Sequence, residues 1–195
     1  MKKLITLSTL LLCGFTLAAC NTNTGKKNVT AETTTIVQET TSQETAEATT
    51  TVPTKDTQWV GSDDYGYLKV PKSWVQSNAG GNNVDFMYSD GTDKNAISVK
   101  SINADGKDFT NMQTNFEQKI KENPRFTNVR TDKGNIGGYD ALKIYADYNN
   151  NSSKVVIWLF KSDDNMIRLV TLEGNLEIVN EITPMVEESW TVKKN

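Results

Sequence analysis

The sequence contains no histidine, and only 2 cysteines and 4 prolines among its 195 residues. Without an imidazole there is no Ser-His or Cys-His nucleophile pair, no histidine-ligated zinc and no unassisted general base titrating near neutrality. A single charge sign is missing too: 21 Lys+Arg stand against 24 Asp+Glu, a formal net charge of −3, which gives no basic footprint for nucleic acid. No metal-ligand spacing, phosphate loop or enzyme motif occurs, so the expectation is a protein that is not an enzyme and carries no cofactor. The Gly pairs at 80–81 and 137–138 are turns, since neither is followed by the Lys-Ser/Thr of a phosphate loop.

The one long apolar run is at the start. Met1-Lys2-Lys3 precedes a Leu-rich stretch from Leu4 to Thr16, and Leu17-Ala18-Ala19-Cys20 closes it with small residues. This is the pattern of a secretory signal over residues 1–19, too short and too quickly followed by polar residues to span a bilayer as a helix. The closing four residues resemble the lipobox of bacterial lipoproteins. That resemblance implies acylation of the Cys20 thiol, cleavage before it, and a mature chain held at the cell membrane, outside the cytoplasm, by lipid alone. Cys13 leaves with the signal, so the mature chain has one thiol and no intramolecular disulfide. Two or more acyl chains make the anchor effectively permanent at about 0.8 kcal/mol per buried methylene.

Residues 20–57 follow the anchor with Thr clusters (Thr33–Thr35, Thr40-Thr41, Thr49–Thr51), Glu and Ala, and almost no large apolar side chain. Such a segment buries too little surface to fold and reads as a disordered linker reaching about 30 to 35 Å. Asn28-Val29-Thr30 and Asn151-Ser152-Ser153 fit the N-glycosylation pattern, which has little meaning behind a bacterial lipobox.

Residues 58–195 read as one domain. Trp59-Val60 and the alternating run Tyr65–Val70, ended by Pro71, begin it; strands are expected at Val84–Ser89 and Ala96–Ile102, joined through Asp90-Gly91. Asp108 caps a helix of about thirteen residues whose Phe109, Met112, Phe116 and Ile120 share one face, stopped by Asn123-Pro124. Phe126–Thr131 is a short strand, Gly134–Gly138 a turn, and Tyr139–Asn149 a longer strand. Val155–Phe160 is apolar without alternation and reads as a central strand covered on both faces. After Met166–Leu172, a helical stripe from Leu176 to Trp190 is interrupted by Pro184, which is expected to kink or split it. The expectation is an α+β fold, with two helices packed on an antiparallel sheet.

The run Gly66-Tyr67-Leu68-Lys69-Val70-Pro71-Lys72-Ser73-Trp74 resembles the opening strand and Pro-x-x-Trp turn of the Mog1/PsbP-like superfamily. A helix after the early strands, the Gly-Gly-Tyr-x-Ala segment at 137–141 and a terminal helix ending near Trp190 resemble it as well. The resemblance implies an α/β/α sandwich around an antiparallel sheet, and binding, assembly or scaffolding roles more than catalysis. It transfers no binding residues.

Two functional readings follow. One is a non-catalytic module that binds a protein or cell-envelope partner. The other is a module that binds or hydrolyses a small ligand or glycan in a pocket lined by Trp74, Tyr88 or Tyr145 with at least one carboxylate. Trp74, beside a proline at a strand end, is expected to be partly exposed. The weak calcium candidates are Asp90, Asp93, Asp163 and Asp164; as turn residues they have a plainer explanation, since Asp tolerates turn backbone.

Overall fold

The computed structural model describes residues 56–92, 94–150 and 152–194. The signal, Cys20 and nearly all of the linker lie outside these residues, as does Asp93. Strands β1 (Thr57–Ser62) and β2 (Gly66–Pro71) pair with each other as a separate two-stranded sheet. The main sheet holds seven antiparallel strands: β3 (Val75–Gln76), β4 (Phe86–Ser89), β5 (Ala96–Asn103), β6 (Phe126–Ile136), β7 (Tyr139–Tyr148), β8 (Ser153–Lys161) and β9 (Met166–Gly174). Their order is β3-β4-β5-β9-β8-β7-β6. Helices α1 (Phe109–Glu122) and α2 (Leu176–Ser189) complete the domain.

Strand β8 explains the layering. Val156, Trp158 and Phe160 join one core with Val179, Ile182 and Val186 of α2, while Val155, Ile157 and Leu159 join a second core with Phe116 and Ile120 of α1. Successive strand side chains point to opposite faces, so an unbroken apolar run requires a cover on each. The expected antiparallel sheet with two helices packed on it is the structure found.

Local chemistry sets the ends of the helices. The Asp108 carboxylate accepts from the Asn111 N–H at 3.1 Å and the Asn175 side chain from the Ile178 N–H at 2.9 Å, each satisfying a first-turn donor. Beyond α2, Trp190 is buried and packs edge-on to Phe160 at 5.2 Å, and Thr191 exchanges two backbone hydrogen bonds with Tyr67, tying the β1–β2 hairpin to the chain end.

Three expectations are corrected. α2 is not split at Pro184 but continues to Ser189, with Val179 and Ile182 before the proline and Val186 after it packed in the same core against the sheet. Strand β6 continues through Gly134 to Ile136, and the turn is confined to Gly137-Gly138; Gly134 lies opposite Ala141, and a Cβ there would stand 3.0 Å from the Lys143 Cβ. Trp74 is buried at 3% exposure: its N–H donates to the Pro71 carbonyl at 2.9 Å, and this turn folds the indole into the α2-side core.

Glu173, near the end of β9, carries a carboxyl pushed above its ordinary value by burial, with the Ser153 hydrogen bond and the Arg125 charge pulling the other way. A raised carboxyl favours folding when protonated and opposes it when ionised. Glu173→Gln is therefore expected to raise the thermal midpoint at neutral pH and to lose that advantage as the pH falls toward about 4, where an ordinary Glu is itself protonated; unfolding curves across pH check it.

Candidate functional site

A groove of about 470 Å³ opens on the α2 side of the sheet, between that helix and the β6–β8 end. Cross-strand register builds its floor. Arg130 of β6 pairs with Tyr145 of β7, which pairs with Val156 of β8; Asp147 pairs with Lys154 one position on in the same facing set. A bulge between Thr127 and Arg130 brings Asn128 into the wall at φ 52°, a left-handed conformation that Asn accepts more readily than most residues. The helix supplies Leu176, Val179, Asn180, Thr183 and Pro184.

The wall is held by charge. Asp147 accepts from Lys154 Nζ and, at 2.7 Å, from Asn128 Nδ2. The Lys154 hydrogen bond first, then that from Asn128, hold the Asp147 carboxyl below its usual range against the opposing effect of burial. A depressed carboxyl stabilises the fold while ionised and loses this as the pH drops through its folded value. Stability is thus expected to decline below about pH 4, the ordinary Asp value, and less steeply in Asp147→Asn; acid titration of the far-ultraviolet signal measures this.

Behind the wall, Lys143 Nζ lies 2.6 Å from the Glu187 carboxylate of α2 and 4.8 Å from the centre of the Tyr145 ring. Glu187 also accepts from Trp158 Nε1 at 2.9 Å. Burial lowers the Lys143 value, but the Glu187 and Tyr145 hydrogen bonds outweigh it and leave the ammonium above its ordinary range. Arg130 stands 5.4 Å over the same Tyr145 ring, a cation–π contact.

Three groups at this groove have hydrogen-bonding capacity left over. The exposed Arg130 guanidinium makes no hydrogen bond among the described residues. The Thr183 hydroxyl is buried without a partner there as well. Next to it, Pro184 has no N–H for the Asn180 carbonyl one turn earlier, which removes that carbonyl's helical donor.

Of the aromatic residues singled out from sequence, Tyr145 lines the groove. Tyr88 shares its cross-strand row, through Ile97, Leu172 and Val156, but four strand spacings separate them, about 19 Å. The three aromatics are therefore not gathered, and Asp147 is the groove's carboxylate, which does not provide the pair that glycoside hydrolysis uses. Of the calcium candidates, the three among the described residues are engaged with protein donors. Asp90 accepts from Thr92 and Asn95; burial raises its carboxyl, and these bonds together bring it below its ordinary value. Asp163 accepts from the Tyr139 hydroxyl at 3.0 Å, and Asp164 pairs with Arg168. Among the described residues no group of three or more acidic, His or Cys side chains is assembled for a metal. Arg130, Asp147, Lys154 and Thr183 went unnoticed in the sequence; the available signal was the charged positions of β6–β8 falling in one register on the α2 face.

No family model matches the chain, and no curated protein sequence does. Among solved structures, it is similar to cyanobacterial PsbP (CyanoP) from Synechocystis sp., with 13% identity, a TM-score of 0.50, and coverage of 73% of this chain and 96% of that one. It is also similar to LpqN of Mycobacterium tuberculosis, involved in cell envelope biogenesis, at 14% identity and a TM-score of 0.46 over 64% of this chain and 80% of that one. The domain has a PsbP-like fold. Among the described residues no helix is long and apolar enough to cross a membrane.

Proposed function

We propose that the chain is a lipid-anchored extracytoplasmic protein whose folded domain is a non-catalytic binding module, with the α2 groove as its binding site. The observation that carries this reading is the groove itself. Its charged wall is fixed by mutual pairing, while the exposed Arg130 guanidinium retains unused hydrogen-bonding capacity toward the open space. Fixed walls with a few uncommitted polar groups are what a recognition pocket needs, whereas acid-base chemistry needs a proton carrier poised to move. Asp147, clamped by Lys154 and Asn128, is the opposite of poised.

The lipobox supports the anchor, and the Thr-rich linker supports a domain displaced from the membrane surface. Cys20→Ala is expected to abolish lipid labelling and to release the protein or leave it unprocessed; unchanged labelling overturns the anchor. For the groove, Thr183→Trp fills the space while leaving the sheet intact. It is expected to reduce recovery of whatever co-isolates with the membrane-bound protein after cross-linking in cells, with the fold unchanged by circular dichroism. Equal recovery overturns the groove as the binding site.

A further inference from the structure

We propose that the groove takes the C-terminal end of a peptide, reading a free carboxylate, the amide N–H preceding it and an apolar last side chain; this rests on the groove being the binding site. Charge gives the first requirement. The wall carries Arg130, Lys154 and Asp147; the lysine pairs directly with the carboxylate and Arg130 acts on it through space, so two cations face one anion and the wall keeps a net positive charge, with the guanidinium the cation not hydrogen-bonded to it. Its cation–π contact with Tyr145 holds it at the wall, and its planar fork matches a carboxylate through two parallel hydrogen bonds.

The helix gives the second requirement. The Asn180 carbonyl, without its helical donor because of Pro184, can accept an N–H from a ligand in the groove that Asn180 lines. The third lies around them: Leu176 is 57% exposed at the groove mouth, and Val179, Val156 and Pro184 continue the apolar surface. A simple fatty acid offers charge and an apolar body but no N–H donor. A neutral sugar offers donors but no charge. A peptide's last residue supplies all three within a few bonds.

The test is a nuclear magnetic resonance titration of the purified full-length chain with acetyl-Gly-Gly-Leu, its C-terminal amide, hexanoate and diacetylchitobiose. The free acid is expected to shift the Asn128, Tyr145 and Thr183 signals, with the amide weaker by about tenfold or more, the size of a lost charge-assisted pair. Arg130→Gln is expected to weaken the acid by a similar factor and the amide far less, because the amide brings no charge for the guanidinium to pair with. Equal affinity of acid and amide, or equal loss of both in the variant, overturns the carboxylate assignment. Hexanoate matching the peptide overturns the amide contact. Groove shifts from diacetylchitobiose alone overturn the peptide class while leaving the groove as a binding site. Silence with all four probes overturns the peptide class, and cross-linking from the groove in cells then decides separately whether it binds anything.

Discussion

Asp164→Ala is expected to destabilise the domain by about 3 kcal/mol, and Arg168→Met by much less. Arg168 is completely buried in β9, with no exposed surface, yet its guanidinium is charged. One terminal nitrogen donates to the Asp64 carbonyl at 3.1 Å and to the Ser101 hydroxyl, and the other pairs with the Asp164 carboxylate, while Nε has no partner among the described residues. Removing the carboxylate strands a positive charge in the core, and the cost of an unpaired buried ion exceeds the worth of the pair. Removing the guanidinium instead leaves Asp164, which is 28% exposed and can be hydrated, while Met fills most of the volume. Urea unfolding of both variants checks the asymmetry. Equal losses would mean that packing of the arginine stem, more than its charge, decides the position.

Gly137→Ala is expected to cost about 2 to 5 kcal/mol, whereas Gly138→Ala next to it costs about 1 to 2. Both glycines form the β6–β7 turn with positive φ, at 59° and 91°, so either alanine meets backbone strain. The difference is space. A Cβ on Gly137 would stand 2.2 Å from the Trp190 carbonyl oxygen and 2.8 Å from its indole, whereas one on Gly138 meets nothing within 4 Å. Gly137 also donates its N–H to the Glu187 carbonyl at 2.7 Å, so displacing it loosens the end of α2 that carries the carboxylate bound to Trp158 and Lys143. Thermal unfolding of the pair separates the two contributions, since strain is common to both and collision belongs to Gly137.

The cores were legible in the sequence because their signal is local. The unbroken apolar run of β8 demanded covers on both faces, and the three-and-four spacing from Phe109 to Ile120, capped by Asp108, gave α1 nearly to the residue. Pro184 suggested a split that α2 does not have, because a proline's missing hydrogen bond is visible in a sequence and the packing that compensates for it is not. Trp74 misled for a related reason. Proline beside a strand end suggests surface, but the hairpin that covers this turn is fixed by its ties to Thr191 and Ser189, more than a hundred residues later. The groove was invisible on the same ground: Arg130, Tyr145, Lys154 and Thr183 come from three strands and a helix, and only the register of β6, β7 and β8 under α2 brings them together.

Two positions of nearly equal exposure test whether the groove is where this domain meets its partner. Leu176, 57% exposed, lies at the groove mouth; Val75, 56% exposed, lies on β3 at the opposite edge of the sheet. A photo-activatable cross-linking residue at each, in full-length protein within intact cells, gives matched reporters of the two surfaces. The expected result is a discrete adduct from position 176 that Thr183→Trp abolishes, with none from position 75. The same adducts from both positions, or an adduct from 176 that survives the filled groove, would contradict the account.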